Sequence, residues 1–359
     1  MKYLILSPFA EDGLMNSGDD LIIYSLTKLL KYKHDVVSIA KSTENKQRIF
    51  EKCNMGKYEY LICPAFRWTI GENEEILETR LKYIEKAIRY NIPVYIIGSS
   101  WCIYPGIKEQ TSFKINSRER NIFEMLIQDK RNYISVRDIL TQKLLFNNFK
   151  VEVPMTGDLG LFDLKMIGRE INIKTSFNIA VSLPHNVRHY EDTFHLAARL
   201  KNTLKCEVFI TSHQKETKDL KFGNIEYINL AGRADKLEWY NNVTLHVGFR
   251  LHAHVWFLRN RKPSLLIAED GRGFGNLLSF SNLGMHSAPI YIMEMAKKYK
   301  YESQVLKNIG MNASIDIEKV VNKVQSEMSF GYYETIIGLN NVDNAWKNNT
   351  WRGNINGIS

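Results

Sequence analysis

Residues 244–268 read TLHVGFRLHAHVWFLRNRKPSLLIA. Two short apolar runs, Thr244–Gly248 and Ser264–Ala268, predict buried strands, and Leu251–Leu258 between them predicts a helix. Two strands joined by a crossover helix normally lie parallel in one sheet. This segment therefore predicts an α/β fold with a mostly parallel sheet and helices on both faces.

The same alternation of strand and helix extends over most of the chain. Apolar runs predict further strands at Lys2–Ser7, Val36–Ala40, Tyr60–Cys63, Val94–Gly98, Tyr133–Val136, Val151–Pro154, Phe177–Leu183, Glu207–Thr211 and Ile225–Ile228. Helical spacing of apolar residues predicts helices at Asp19–Tyr32, Ile76–Tyr90, Asn121–Gln128, Ile139–Phe146, Thr193–Leu204 and Leu237–Tyr240.

The polar stretch Lys165–Ser176 divides this pattern into two halves, after which the alternation starts again. The chain is therefore expected to form two Rossmann-like, doubly wound domains that face a central cleft. We expect these domains at residues 1–168 and 169–316, followed at 317–359 by a tail with one helix that starts at Ile317.

The composition is that of a globular protein with an excess of positive charge. The 359 residues include 48 Lys and Arg against 39 Asp and Glu, for a formal net charge of +9, and 44% are hydrophobic. These values exclude a disordered chain, and no apolar run approaches the roughly 18 residues that cross a bilayer. A merely Lys-rich surface explains this charge by itself, although the charge also suits anionic partners such as phosphorylated metabolites or acidic lipid head groups. We expect no nucleic-acid partner, because no basic tail or binding motif is present.

The four cysteines are scattered and contain no C-x-x-C pair. They are Cys53, Cys63, Cys102 and Cys206. This spacing is not that of a disulfide scaffold or a zinc site. A reducing compartment and a cytoplasmic location are the simplest expectation.

Ligands of doubly wound sheets bind beyond the carboxyl ends of the strands, so we examined the loops that follow strands. The first such loop contains Asn16–Asp20 (NSGDD). Gly18 allows a tight turn, Asn16 or Asp19 can cap the next helix, and the N–H groups at a helix start can bind an anion. A plain helix cap explains the same residues, and no G-x-G-x-x-G dinucleotide motif is present.

A second candidate lies at Ser135–Asp138 (SVRD), where a predicted strand passes into a helix. At that edge of the sheet, the guanidinium of Arg137 can bind a carboxylate or phosphate through two hydrogen bonds. Asp138 is expected either to cap the helix or to orient Arg137.

The strongest candidate is Gly248–His252 (GFRLH), which links a predicted strand to a helix. Arg250 and His252 lie at the start of the helix and are expected to face the cleft, where the helix dipole favours an anion. A metal site is disfavoured, because His252 and His254 lie two residues apart on a helix and do not share a face.

Other polar residues also follow predicted strands. Glu269–Gly275 (EDGRGFG) is predicted to be a mobile, anion-binding loop that contains Arg272. Asp158, His185 and His213 lie after other strands. Together these side chains would form a polar cleft suited to a sugar.

Four motifs, in this order, resemble the polysaccharide pyruvyl transferase family: Asn16–Asp20, Ser135–Asp138, Gly157–Leu159 and Gly248–His252. The segment Ala268–Gly273 departs from many members. The resemblance implies a two-domain fold like that of GT-B glycosyltransferases. It also implies transfer of a pyruvyl group from phosphoenolpyruvate to two hydroxyls of one sugar, which gives a cyclic ketal.

The resemblance also implies roles for individual residues. In the family, the residues that match Asp19, Arg137, Arg250 and His252 line the donor site. We expect His252 to be the general acid and either Asp19 or His185 to be the base. Substrate binding is assigned to Arg137, Arg250, Leu251, Asn16, Gly18, Asp138, Asp158, His213 and Arg272. This chemistry needs no metal and no cofactor, with phosphoenolpyruvate as the donor substrate.

The expected acceptor is a sugar in a cell-envelope polysaccharide, such as an exopolysaccharide, or in its lipid-linked precursor. A lipid-linked acceptor would bring the basic surface into peripheral contact with the inner face of the membrane. The alternative function on the same architecture is a GT-B-type glycosyltransferase that uses a nucleotide sugar. In that case His213 or the Glu269–Gly275 segment would hold the diphosphate. A non-catalytic carbohydrate-binding protein is a further alternative, and the oligomeric state stays open.

Overall fold

The structure is a computed structural model, which describes residues 2–9, 16–39, 49–71, 77–101, 114–173, 177–185, 190–214, 223–280, 284–286 and 315–356. The boundaries predicted at Ala40, Ile76 and Ser176 lie outside these ranges. Across the described ranges, no helix combines the length and the apolar character needed to span a membrane.

The N-terminal sheet has six parallel strands. They are β1 (Lys2–Ser7), β2 (Lys33–Ser38), β3 (Tyr60–Pro64), β4 (Arg67–Trp68), β5 (Val94–Trp101) and β6 (Tyr133–Val136). Their order is β2-β1-β3-β5, and both β4 and β6 pair with β5. Strand addition therefore reverses direction between β1 and β3, and such a point opens a crevice at the carboxyl ends of the strands.

The C-terminal sheet is also wholly parallel. Its strands are β7 (Asn178–Ser182), β8 (Glu207–Ser212), β9 (Glu226–Asn229), β10 (Leu245–Gly248), β11 (Ser264–Ala268) and β12 (Gly284–His286). The order β12-β11-β10-β7-β8-β9 is that of the Rossmann fold, with the reversal between β7 and β10. The predicted pair of Rossmann-like, doubly wound sheets is thus confirmed.

The tail contains three helices within the described ranges, where the sequence predicted one, and elsewhere helices connect most strands as the sequence predicts. The helices are α1 (Ser17–Leu29), α2 (Glu78–Arg89), α3 (Ser117–Gln128), α4 (Ile139–Phe149), α5 (Tyr190–Leu204), α6 (Leu251–Arg259), α7 (Gly271–Phe280), α8 (Ile317–Ser329), α9 (Tyr333–Lys347) and α10 (Trp351–Asn356). The predicted helix Leu237–Tyr240 is part of a longer 3₁₀ helix, Ala234–Asn242.

Two sequence predictions were wrong. The segment Val151–Pro154 is not a strand, because only Met155, just beyond it, makes an isolated parallel bridge to Val136, and proline has no N–H to continue a ladder. The segment Glu269–Gly275 is not a mobile loop, because α7 begins at Gly271. Asp270 Oδ1 accepts a hydrogen bond from the Gly273 N–H (2.9 Å) and so starts this helix.

Three apolar clusters form the core of the protein. Their membership follows the alternation of side chains along each strand. Leu4 belongs to a cluster on one face of the N-terminal sheet, and Val247 to a cluster on one face of the C-terminal sheet. Ile5 and Ala180, on the opposite faces, join one cluster that contains residues of both sheets. This shared cluster fixes the two sheets against each other.

The tail returns from the C-terminal sheet to the N-terminal one. Helix α8 packs on α5, where Arg199 donates to Glu318 (Nε to Oε1, 2.7 Å). After α9, Asn349 donates to the Thr156 carbonyl (3.0 Å), and the buried Trp351 donates to Asn349 Oδ1 (2.8 Å). The tryptophans of the tail therefore pack in the shared cluster rather than at the surface.

A buried arginine at the end of α6 joins the two sheets by hydrogen bonds. Arg259 Nη1 donates to Ser25 Oγ (2.9 Å) on α1 and to the carbonyls of Gly160 (3.3 Å) and Phe162. Its Nη2 donates to Asp163 (3.1 Å). Because Ser25, Gly160 and Phe162 are buried with it, the guanidinium satisfies groups that would otherwise lack a donor.

Replacement of Arg259 by methionine should keep the apolar stem and remove every donor. We expect the free energy of unfolding to fall by about 3 kcal/mol, because the buried acceptors Ser25, Gly160 and Phe162 lose their donor. Chemical denaturation monitored by circular dichroism measures this loss.

Arg199→Met is the matched control. The Arg199–Glu318 pair is exposed, with side-chain accessibilities of 50% and 60%, so its loss should cost less than about 1 kcal/mol. Equal destabilisation by the two variants would contradict the assigned role of Arg259.

Candidate active site

The start of α1 lies at the centre of the cleft. Asn16 Oδ1 accepts a hydrogen bond from the Gly18 N–H (3.0 Å), so Asn16 is the helix cap that the sequence suggested. Asp19, in the first turn, keeps some solvent exposure. Burial by surrounding atoms raises the pKa of Asp19 above its usual value, although the charges of His252 and Arg272 lower it.

Gly18 brings this turn against the second domain. A Cβ atom at position 18 would lie 2.2 Å from Nδ1 of His252, a distance that no side chain tolerates. Only glycine therefore allows the first turn of α1 to contact the imidazole. Gly18 acts here through close approach and not through a special backbone angle.

The two acidic residues of the NSGDD motif have different tasks. Asp20 Oδ2 accepts a hydrogen bond from the Ala234 N–H (2.8 Å), and Arg233 lies 3.7 Å from Asp20 Oδ1. Asp20 therefore caps the 3₁₀ helix of the opposite domain. Asp19, in contrast, faces the polar cluster formed by His252 and its neighbours.

Arg137 is the charged group that the first domain contributes. It follows β6 and is 3% exposed, and its Nη1 donates to Asp158 Oδ2 (3.1 Å). Among the described residues, its Nε and Nη2 atoms have no hydrogen-bond partner. Asp138 Oδ2 lies 4.0 Å from Nε. A buried guanidinium with two open donors is suited to bind an anion.

Asp158 connects Arg137 to the second domain. Its Oδ2 atom lies 3.6 Å from His252 Nε2, and its Oδ1 atom accepts from the Gly160 N–H (2.8 Å). Burial by itself raises the pKa of Asp158. His252 and Arg137 outweigh that effect and hold the pKa well below its usual range. The Asp158 carboxylate is therefore ionised where it faces Arg137 and His252.

Gly248 determines how the chain enters α6. Its φ is 148°, and a Cβ atom there would lie 2.6 Å from the Ser182 nitrogen. Glycine at this position lets the end of β10 lie directly against the end of β7. The Arg250 N–H then donates to Ser182 Oγ (2.9 Å), which fixes the first residue of the RLH motif.

The guanidinium of Arg250 is held by neutral groups of its own domain. Nη1 lies 3.0 Å from His185 Nε2, and Nη2 donates to the Pro184 carbonyl (3.3 Å). With the Gln214 amide oriented to satisfy the network, its oxygen accepts from Arg250 Nη1 (2.6 Å) and Nη2 (2.9 Å) and from His185 Nδ1 (2.6 Å). None of these partners removes the positive charge of Arg250.

His185 is exposed on its outer side yet remains neutral. Desolvation by surrounding residues and the charges of Arg250 and Arg272 hold its pKa well below the usual range. A neutral ring explains how His185 accepts a hydrogen bond from Arg250 and donates one to Gln214.

Beneath the site, two further histidines form a buried network with serines. His246 contacts Ser182 Oγ through Nε2 (2.8 Å) and Ser264 Oγ through Nδ1 (2.8 Å), and His254 Nδ1 contacts the same Ser264 oxygen (2.7 Å). Burial lowers the pKa of His254 to about 3. These histidines support the strands, and no cluster of three His, Cys, Asp or Glu side chains within the described ranges could hold a metal ion.

Helix α7 contributes a further cation and two carboxylates that follow β11. Arg272 Nε donates to Asp270 Oδ2 (2.8 Å), and burial, which raises the pKa of Asp270, is outweighed by Arg272, so that this pKa falls to about 2. Glu269 is buried, and its carboxylate accepts from the His185 N–H (2.9 Å). Gly275 allows α7 to approach α4, since a Cβ there would lie 2.6 Å from Asp138.

The structure brings most of the predicted residues together. Asp19, Arg137, Asp158 and His252 form one group, Arg250 and His185 a second, and Arg272 acts electrostatically on both Asp19 and His185. Sequence reasoning did not identify Ser182, Gln214, Glu269 or Asp270 individually as site residues. Their only common signal is that each lies at or just beyond the carboxyl end of a strand.

Three predicted binding residues have other partners in the structure. Asp138 caps α4, because its Oδ1 accepts from the Thr141 N–H (2.8 Å), and His213 Nε2 lies 2.9 Å from the Tyr240 hydroxyl. Leu251 is half-buried and packs against the shared apolar cluster. Contact of these side chains with a substrate stays a prediction.

Solved structures of similar proteins resemble this chain at low identity. The UDP-GlcNAc 2-epimerase from Neisseria meningitidis bound to UDP-GlcNAc is 11% identical, with a TM-score of 0.48, over 98% of this chain and 99% of that one. The spinosyn rhamnosyltransferase SpnG is 10% identical, with a TM-score of 0.48, over 99% of this chain and 100% of that one. Among curated proteins, no sequence relative was found.

The sequence model of one family, described as polysaccharide pyruvyl transferase, matches residues 16–271. This match covers well over half of the chain and includes the NSGDD, SVRD and GFRLH motifs whose side chains meet in the cleft. The chain therefore belongs to the polysaccharide pyruvyl transferase family.

Proposed function

We propose that this protein transfers a pyruvyl group from phosphoenolpyruvate to two hydroxyls of one sugar, with a cyclic ketal as the product. The observation that carries the proposal is the buried guanidinium of Arg137. It has two open donors and lies beside Asp158 and His252, where the domains meet. An anion with several oxygens would satisfy those donors.

The charges of the cleft suit phosphoenolpyruvate, which carries a carboxylate and a phosphate. Arg137 approaches from the first domain, and Arg250 and Arg272 come from the second. Three guanidinium groups on rigid elements would bind both ends of the donor and orient its C2 and C3 atoms.

In the proposed first step, C3 of the donor takes a proton and C2 becomes electrophilic. His252 is the general acid, and Asp158 Oδ2 lies 3.6 Å from its Nε2 atom. A sugar hydroxyl adds to C2 and loses its proton. The product of this step is a tetrahedral centre that still carries the phosphate.

In the second step, a neighbouring hydroxyl of the same sugar attacks C2 and loses its proton, and the C2–O bond to phosphate breaks. The phosphate leaves with the bonding electrons, and Arg250 and Arg272 stabilise its charge. Of the two base candidates, Asp19 is favoured, because its raised pKa brings a carboxylate closer to the pKa at which it accepts protons efficiently. His185 instead orients Arg250 through its neutral ring.

The proposed acceptor is a sugar of a cell-envelope polysaccharide or of its lipid-linked precursor. The family supports a saccharide, and the net charge of +9 suits an acceptor on an anionic lipid diphosphate. The proposed steps use no cofactor, because the donor already carries its phosphate leaving group. This acceptor would place the protein in the cytoplasm, in peripheral contact with the membrane.

Thermal denaturation with phosphoenolpyruvate and with UDP distinguishes this function from glycosyl transfer. A ligand that binds only the folded protein adds about 2.7 kcal/mol at a hundredfold excess over its Kd, so its binding should raise the Tm visibly. We expect phosphoenolpyruvate to raise the Tm of the wild type but not that of Arg250→Ala. A shift with UDP alone would contradict the proposal.

His252→Ala should lower turnover far more than donor binding. General acid catalysis contributes about 100- to 10,000-fold, and we expect a loss of phosphate release in this range, with phosphoenolpyruvate and synthetic hexosides that have free 4,6- or 3,4-hydroxyls. Arg137→Lys should instead weaken donor binding, because lysine cannot present the planar pair of donors. The exposed His195→Ala is the control, and activity equal to the wild type in His252→Ala would exclude the acid role.

Gly18→Ala should lower activity through His252 alone. The new Cβ would lie 2.2 Å from His252 Nδ1, so the ring must move, and a shift of about 1 Å can cost a hundredfold in rate. Gly56→Ala is the matched control, since its Cβ would meet no atom closer than 3.5 Å. Normal phosphate release by Gly18→Ala would show that the close contact does not position the ring.

A further inference from the structure

Glu269 is a buried carboxylate that the proposed reaction does not use. It directly follows β11 and is 8% exposed. Both of its oxygens accept from the His185 N–H, at 2.9 Å and 3.2 Å. Burial of an ionised carboxylate costs free energy unless the carboxylate is paired and hydrogen-bonded.

The sheet order explains why Glu269 meets His185. Strand β10 lies between β7 and β11, and Arg250 follows β10 while His185 follows β7. Glu269 therefore reaches across the end of β10 and closes the space around Arg250 on the side of β11. Gln214, which follows β8, closes the opposite side.

The position of His185 determines the position of the Arg250 guanidinium. Arg250 Nη1 contacts the His185 ring (3.0 Å to Nε2), and Nη2 donates to the carbonyl of Pro184 (3.3 Å), the residue before His185. A main chain held by Glu269 thus presents both the ring and the carbonyl that orient Arg250.

We propose that Glu269 is a positioning residue of the donor site, which holds the His185 main chain and thereby directs the Arg250 guanidinium toward the donor anion. This inference rests on the proposed function, and the experiment below separates the two.

The charged groups around Glu269 couple the protonation of its carboxylate to the binding of the donor anion. Arg250 faces it from the start of α6, His185 from the end of β7, and Asp270 and Arg272 from the start of α7. Burial raises the pKa of Glu269, Arg250 lowers it and Asp270 raises it, and the net result is a pKa of about 7. A donor anion on Arg250 would offset the charge of that arginine and raise the pKa further, so donor binding should take up a proton.

The sign of the pH dependence follows from this linkage. Below the pKa, Glu269 is neutral and does not repel the donor. As the pH rises through about 7, the ionised carboxylate lies beside the bound anion, and donor affinity falls. One unit of donor-induced pKa shift corresponds to a tenfold loss of affinity over about two pH units.

The experiment measures the Kd of phosphoenolpyruvate by calorimetry from about pH 6 to about pH 8. It uses wild type, Glu269→Gln, Glu269→Ala and Glu327→Gln. Amide hydrogen exchange over residues 178–185 is followed in the same four proteins. Glu327→Gln is the matched control, because Glu327 is also a buried glutamate that accepts backbone N–H bonds, from Glu334 (2.9 Å) and Thr335 (3.2 Å), but lies in the tail.

We expect Glu269→Ala to accelerate exchange at His185 and to raise the donor Kd by about tenfold or more, through misplacement of Arg250. Glu269→Gln keeps an acceptor for the His185 N–H and should retain its protection. The Kd ratio of wild type to Glu269→Gln should rise with pH, since glutamine cannot ionise. Since the phosphate of the donor titrates in both proteins, this ratio isolates Glu269.

Each alternative outcome contradicts a different part of the argument. If the wild type binds phosphoenolpyruvate and Glu269→Ala binds it equally, with unchanged exchange at His185, the positioning role is wrong and the proposed function stands. A constant ratio of wild type to Glu269→Gln across pH excludes the proton linkage. If the wild type does not bind phosphoenolpyruvate, the proposed function itself is wrong. Glu269→Gln is isosteric, so the test of the proton linkage does not depend on the folding of the alanine variant.

Discussion

The arrangement of the cleft depends on the contacts that Asp158 makes with Arg137 and His252. Its Oδ2 atom lies 3.1 Å from Arg137 Nη1 of the first domain and 3.6 Å from His252 Nε2 of the second. A single buried carboxylate thus faces a guanidinium of one domain and an imidazole of the other. Gly18 makes this arrangement possible, because any side chain there would displace His252.

The buried cations of this protein divide into two kinds according to how their donors are used. Arg259 and Lys262 donate their hydrogen bonds to protein acceptors. Lys262 Nζ donates to the carbonyls of Tyr240 (2.9 Å), Asn241 (2.8 Å) and Val243 (2.8 Å). Arg137 leaves two donors open among the described residues, in an equally buried position. The first kind stabilises the arrangement of the domains, and the second is suited to bind an anion.

The histidines divide in the same way, although three of them come from nine consecutive residues. His246 and His254 are enclosed by serine hydroxyls under the sheet edge, and burial keeps them neutral. His252, between them in the chain, turns to the opposite side and meets Asp158. The helical rotation of about 100° per residue separates His252 from His254, so the two imidazoles lie on different faces of the helix.

The sequence by itself determined the elements of this fold and the edge at which its chemistry lies. Periodicity predicted most of the strands and helices. The rule that loops after parallel strands carry function made Arg137, Arg250 and His252 candidates, and the family resemblance added Asp19. Local patterns were misleading at Glu269–Gly275, where glycines that suggest a loop allow the close packing of a helix.

Only the tertiary structure decided that Asp20 caps the opposite domain, that Arg137 keeps open donors, and that Glu269 meets His185 across β10. The physical reason is that periodicity depends on neighbours along the chain. The partner of a buried polar group depends instead on which strands become adjacent, and that adjacency is set by the packing of the whole sheet.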